Sequence, residues 1–194
     1  MPATSVNRIQ FYNDLLEKDF NAERIYSSEE LLATVCDLTT QWEAGNVNAA
    51  ELNAALKFVN HGLSLIASHH LSETVIPICY FSEFIPKSVE LIYLLLTLSG
   101  FRARPTSILN PERQKTEFIN GRFIVVTLPQ YNHIILLDRF LKLLRGKDIR
   151  VLLGGNIFIL KPELMDNYLS SCNFPPSILA LPTILKDSLL EKME

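Results

Sequence analysis

No glycine-rich phosphate loop, no close pair of cysteines and no bilayer-length apolar run occurs among the 194 residues of this chain. Neither G-x-G-x-x-G nor G-x-x-x-x-G-K-[ST] is present, so the two usual backbone cradles for nucleotide phosphates are missing. The three cysteines, Cys36, Cys79 and Cys172, lie far apart. An odd, dispersed set argues against a disulfide framework and against a zinc ribbon, and reads as small buried apolar residues in a reducing compartment. The longest strongly apolar stretch without charge, 91–101, is about half of the roughly 20 residues that span a bilayer. The opening Met-Pro-Ala-Thr-Ser-Val-Asn-Arg holds no signal-peptide core, so a cytoplasmic location is expected. Excess positive charge is missing too: 18 Lys+Arg against 21 Asp+Glu leave a net charge of −3. That balance excludes dense phosphate neutralisation by the chain alone, and neither nucleic-acid nor membrane contact is expected. No Cys/His/Asp cluster has metal-ligand spacing, and no nucleophile elbow or catalytic carboxylate pair can be placed. What is abundant is apolar content, 48% of the chain, which is enough for a sizeable core and too much for disorder.

The pattern divides the chain near residue 73, into an N-terminal helical bundle over 1–73 and an α/β domain over 74–194. In the first part, Ser27 and Glu30 have capping-box spacing before Leu31, Leu32, Val35 and Leu38. Gly45 and Asn46 then interrupt. A second helix runs from about Val47 to about His70, its Leu52, Leu56, Val59, Leu63 and Ile66 sharing one face. A weaker helix is predicted over Ile9–Phe20. In the second part, β-rich runs at Val75–Phe81, Phe101–Thr106, Phe123–Leu128, Ile149–Leu153 and Ile178–Leu181 alternate with helix-length stretches at Ser88–Ser99, Asn132–Arg145, Pro162–Ser171 and Thr183–Met193. The central runs VIPICYF, FIVVTL and IRVLLGG are continuously apolar, as parallel strands covered on both faces are. The expected fold class is therefore α/β: a helical bundle followed by a five-stranded, doubly wound, flavodoxin-like sheet. Ligands of such sheets sit beyond the carboxyl ends of the strands. This singles out the loops at Ser82–Lys87, Pro129–His133 and Gly154–Ile157.

Few residues in those loops carry chemistry. Gly154-Gly155 ends the fourth strand, where glycines serve either a tight turn or the close approach of a ligand. His133 follows the third strand beside Tyr131 and Asn132, and reads as a solvated helix start or as a ligand contact. His69 and His70 near a helix end read as a solvated, dipole-complementing pair. Trp42, at a helix–helix turn, reads first as core.

Several of these segments form a pattern. Trp42-Glu43-Ala44-Gly45-Asn46-Val47-Asn48-Ala49-Ala50-Glu51 resembles the W-x-x-G-x-[IV]-x-x-A-E stretch of a sensor-type bundle. The unit at 75–100, ending Leu98-Ser99-Gly100, and Gly154-Gly155 resemble further parts of the same module. The resemblance is to cobalamin-binding modules, found in corrinoid methyltransferase proteins and in MerR-associated light- or cobalamin-sensing regulators. It implies a cofactor-facing set of Trp42, Glu51, Asn53, Glu83, Ile85, Thr127, His133, Gly154 and Gly155.

Against that pattern the metal-gripping residues are absent. The D-x-H-x-x-G that supplies the lower cobalt ligand falls on Glu83-Phe84-Ile85-Pro86-Lys87-Ser88, so Ile85, which has no lone pair, stands where the histidine would be. The Glu-His of the sensor motif falls on Leu52-Asn53, and the Ser-x-Leu stretch matches Thr127-Leu128-Pro129 only loosely. The resemblance therefore implies a non-enzymatic sensory or regulatory module with a degenerate pocket, acting on a protein partner or a second copy, without a cofactor. The alternatives are a cobalamin- or heme-binding protein, with His133 or a bundle histidine as the axial donor type for heme, and an unrecognised small α/β enzyme.

Overall fold

The computed structural model describes residues 26–66, 74–113, 119 and 121–190. The expected helix over Ile9–Phe20 and the His69-His70 pair lie outside the described residues. The chain divides into two compact units, Met1–Ala67 and Ser68–Glu194.

The first unit contains two described helices, α1 (Ser28–Glu43) and α2 (Ala49–Ser64). Each starts at a reciprocal cap. In the first, Glu30 N donates to Ser27 Oγ at 3.1 Å and Ser27 N donates to Glu30 Oε2 at 2.8 Å. In the second, Ala50 N and Glu51 N donate to Asn48 Oδ1, and Asn48 N donates to Glu51 Oε2 at 2.9 Å. These bonds satisfy backbone donors that the first turn of a helix leaves unpaired. Gly45, at φ +71°, turns the chain between them, and Asn46 Nδ2 donates to the buried Gln41 at 3.0 Å to hold the turn. Leu31, Val35 and Leu38 of α1 and Leu52, Ala55, Leu56 and Val59 of α2 are buried. Gly62 lets the two helices close up, since a Cβ there would lie 3.0 Å from Leu31 Cδ2.

The second unit is built on four parallel strands, β1 (Val75–Tyr80), β2 (Arg102–Ser107), β3 (Phe123–Thr127) and β4 (Arg150–Gly154), in the order β2-β1-β3-β4. Helices α3 (Lys87–Leu98), α4 (Ile134–Leu144), the short α5 (Asn156–Leu160) and α6 (Leu181–Leu190) complete it. Alternate residues of each strand serve opposite faces. Ile76, Ile78 and Tyr80 of β1, Phe123 and Val125 of β3 and Leu152 of β4 pack with Val89, Ile92 and Leu96 of α3 and with Leu181 and Leu185 of α6. Cys79, Ile124, Val126, Val151 and Leu153 pack on the other face with Leu137, Phe140 and Leu144 of α4, and with Phe158 and Tyr168. Covering on both faces is what the unbroken apolar runs require.

Among the described residues the sheet has four strands where five are expected. Ile178–Ala180 form a 3-10 turn that runs straight into α6. Four apolar residues fit a short strand and a helix start equally well, and the i, i+4 pair Leu181 and Leu185 takes the helical solution. The place of the fifth strand beside β4 is held by a single residue: Leu153 N donates to Asn173 O, and Asn173 N to Val151 O, both at 2.8 Å. Pro175 and Pro176 have no N–H with which to extend that ladder. The stretch predicted as a helix over Pro162–Ser171 is a 3-10 segment, Pro162–Asn167. No helix among the described residues is long and apolar enough to cross a membrane.

Candidate functional site

Because all four strands run in one direction, the loops that follow them emerge at one edge of the sheet. Hydrogen bonds tie these loops together. Ile108 N, just past β2, donates to Tyr80 O at 2.8 Å, and Ser107 Oγ donates to Ser82 O at 2.6 Å in the β1 loop. Ser88, in the first turn of α3, lies 3.4 Å through its hydroxyl from that of buried Thr127 at the end of β3. Leu128 N donates to Gly154 O at 2.8 Å, joining the ends of β3 and β4. Lys161 Nζ sits 4.4 Å above the centre of the Tyr131 ring, joining the loops beyond.

Along this edge large apolar side chains are exposed among polar ones. Phe84 is 83% exposed and Ile85 44%, both in the loop after β1. Ile159 and Leu160, at the end of α5 beyond β4, are 74% and 77% exposed. Leu109 after β2 and Tyr131 after β3 are also exposed. Leu65, Ile135 and Leu169 are exposed as well, but each of the four strands is followed by at least one exposed large apolar residue, and such residues grouped on one edge mark a surface for contact more strongly than single scattered ones do. Glu83 is exposed beside Phe84.

The two glycines that end β4 do different things. Gly155 adopts φ +133°, and a Cβ on it would lie 2.6 Å from the carbonyl carbon of Leu128 and 2.7 Å from its nitrogen. The chain's own backbone fills the space that Gly155 leaves. Nothing lies within 4 Å of the place a Cβ would take on Gly154, so only that glycine faces open room.

His133, the last residue of the 3-10 turn Tyr131–His133 before α4, is half-buried. Its Nδ1 is sealed from solvent without a hydrogen-bond partner among the described residues. No group of three or more His, Cys, Asp or Glu among the described residues is placed to hold a metal ion. Burial pushes the Cys79 thiol well above its ordinary range, with Arg104 pulling weakly the other way. Burial also raises Cys172, against a hydrogen bond from Ser171. Neither thiol is an activated nucleophile.

Of the nine sequence-derived site residues, Glu83, Ile85, Thr127, His133, Gly154 and Gly155 fall on or beside the carboxyl ends of the neighbouring strands β1, β3 and β4. Trp42, Glu51 and Asn53 belong to the first unit: Trp42 is half-buried in the last turn of α1, and Asn53 is half-buried in α2. Glu51 closes the cap of its own helix, a role that the Asn48-x-x-Glu51 spacing announces. Leu109, Ile159 and Leu160 carry no motif. What marks them in the sequence is a bulky apolar residue within six positions of a strand's carboxyl end.

No family model and no curated protein matches the sequence. Solved structures do match. The chain superposes on a novel cobalamin-binding protein from Desulfitobacterium hafniense DCB-2 with a TM-score of 0.53 and 12% identity, over 94% of this chain and 90% of that one. It superposes on the methanol:cobalamin methyltransferase complex MtaBC from Methanosarcina barkeri with a TM-score of 0.54 and 9% identity, over 97% of this chain and 71% of that one. At such identities the likeness is one of fold, and the fold of this chain is like that of these cobalamin-binding proteins.

Proposed function

We propose that this chain is a corrinoid-binding module that holds its ligand through apolar contact at the carboxyl edge of the sheet, without a cobalt ligand from the β1 loop. The observation that carries the reading is the set of exposed apolar residues in the connections after all four strands, Phe84, Ile85, Leu109, Tyr131, Ile159 and Leu160. A flat macrocycle with apolar faces suits such side chains, and the open room beside Gly154 suits a bulky substituent of it. The metal is a different matter. Ile85 offers no lone pair, so it would give a bound corrinoid's cobalt no ligand. A bound corrinoid would supply a cobalt centre. The residues of this chain supply binding, orientation and exclusion of water. The two fold neighbours, one titled a cobalamin-binding protein and the other a cobalamin methyltransferase complex, support the choice of ligand class.

The test is retention. The full chain is mixed with hydroxocobalamin, passed through a desalting column and read by visible absorbance. One corrinoid per chain is expected, with no band shift of the kind a protein histidine on cobalt produces. Phe84→Asp or Ile159→Asp should weaken uptake more than tenfold, because burying one large apolar side chain contributes about 1.5–3 kcal/mol. Absence of retention would overturn the reading. It would favour a regulatory module that presents the same apolar residues, with Phe84 almost fully exposed, to a protein partner.

A further inference from the structure

We propose that His133 meets the bound ligand as a hydrogen-bond donor, offering Nε2–H to an acceptor oxygen, and not as a metal ligand. The inference rests on the carboxyl edge being the binding site. Nδ1 is the ring nitrogen that is both sealed and unpartnered, so the accessible edge of the half-buried imidazole is the Nε2 edge. A sealed N–H without an acceptor loses its whole hydration, whereas a sealed lone pair is the milder loss. An imidazole with one ring proton here therefore carries it on Nε2, where it is a donor at the accessible edge. Binding a metal through Nε2 would move that proton to Nδ1. Metal-bound imidazoles hold a carboxylate, carbonyl or water against that second N–H, and His133 has none among the described residues. Two residues away, Tyr131 carries the Lys161 ammonium over its ring at 4.4 Å, which places positive charge near the same loop. A donor with a cation close by selects an electron-rich oxygen, an amide carbonyl or a phosphate on the ligand's periphery.

The experiment has two parts. Long-range 15N–1H NMR of the full chain reads the tautomer before any ligand is added, with His133→Gln assigning the resonance among the four histidines. An Nε2–H tautomer is expected, with its Nε2 signal shifting when cobalamin is added. Affinities for cobalamin and for cobinamide, which lacks the phosphate-bearing nucleotide loop, are then compared in the original chain, His133→Ala and His133→Gln. Alanine should weaken binding about tenfold, the size of one hydrogen bond. Glutamine, which places an amide N–H near the Nε2 position, should stay within about threefold of the original. A loss confined to cobalamin assigns the acceptor to the phosphate, and an equal loss for both ligands assigns it to a ring amide. An Nδ1–H tautomer, unchanged affinity in the alanine variant, an equal loss in both variants, or a cobalt band shift that His133 variants abolish would each overturn the proposal while leaving corrinoid binding intact. Failure of both corrinoids to bind would remove the parent reading and this inference with it.

Discussion

Replacing Gly155 by alanine sets two costs against the second unit, and both follow from its geometry. The backbone there, at φ +133° and ψ 158°, is a conformation that L-residues rarely enter, at about 1–3 kcal/mol. The new methyl would also arrive 2.6 and 2.7 Å from two backbone atoms of Leu128. Those atoms cannot swing aside as a side chain does, because Leu128 N is bonded to Gly154 O at 2.8 Å across the ends of β3 and β4. Overpacking of this kind costs about 1–3 kcal/mol, and weakening the bond costs about 1 kcal/mol more. After partial relaxation, a loss of about 3–5 kcal/mol is expected against a typical stability of about 5–15 kcal/mol. Thermal unfolding followed by circular dichroism should show a fall in Tm of roughly 10 °C or more. Gly154→Ala is the matched control. No atom lies within 4 Å of its Cβ position, its φ is not positive, and it should change stability by less than about 1 kcal/mol, in the stabilising direction if at all. If Gly155→Ala melts within about 2 °C of the original chain, or no lower than Gly154→Ala, the close-approach argument is wrong.

Two further outcomes test the packing. Ser27→Ala and Asn48→Ala each remove the side-chain half of a capping box and should each destabilise the helical unit by about 1 kcal/mol, measured by urea unfolding. Tyr168 donates to Asp138 Oδ1 at 2.8 Å while its ring is buried. Burial first, then that hydrogen bond and the Asp138 charge, raise its phenol above the ordinary range. The folded-state value is the raised one, so Tyr168 contributes stability below the ordinary phenol value near pH 10 and loses it as pH climbs beyond. Tyr168→Phe should flatten stability against pH in that alkaline window and remove a late-ionising phenol from an ultraviolet titration. An unchanged titration would refute the assignment.

The legible parts of this chain were those with local causes. The Ser27–Glu30 cap, the helical face of Leu31, Val35 and Leu38, and the apolar runs of β1, β3 and β4 each carry their explanation within a few residues, and each stands where its pattern puts it. Ile178–Leu181 is a helix start that was not legible, because periodicity cannot distinguish a four-residue strand from the mouth of a helix, and the deciding contacts of Leu181 and Leu185 are with α3 and the strands, distant in the chain. The Gly-Gly pair was read as one feature and is two, since only Gly155 meets the backbone of Leu128, twenty-seven positions earlier in the sequence.

The order of amino acids by itself determined that this protein has a parallel sheet covered on both faces, that helices precede it, and that Ile85 offers cobalt nothing. Those statements depend on side-chain chemistry and on short-range periodicity, which a linear chain carries in full. The tertiary structure decided that the sheet among the described residues stops at four strands, that Phe84, Leu109, Tyr131, Ile159 and Leu160 gather on one edge, and that His133 turns a sealed nitrogen inward. Each of these is set by residues distant in the chain meeting across strands whose order, β2-β1-β3-β4, no local pattern states.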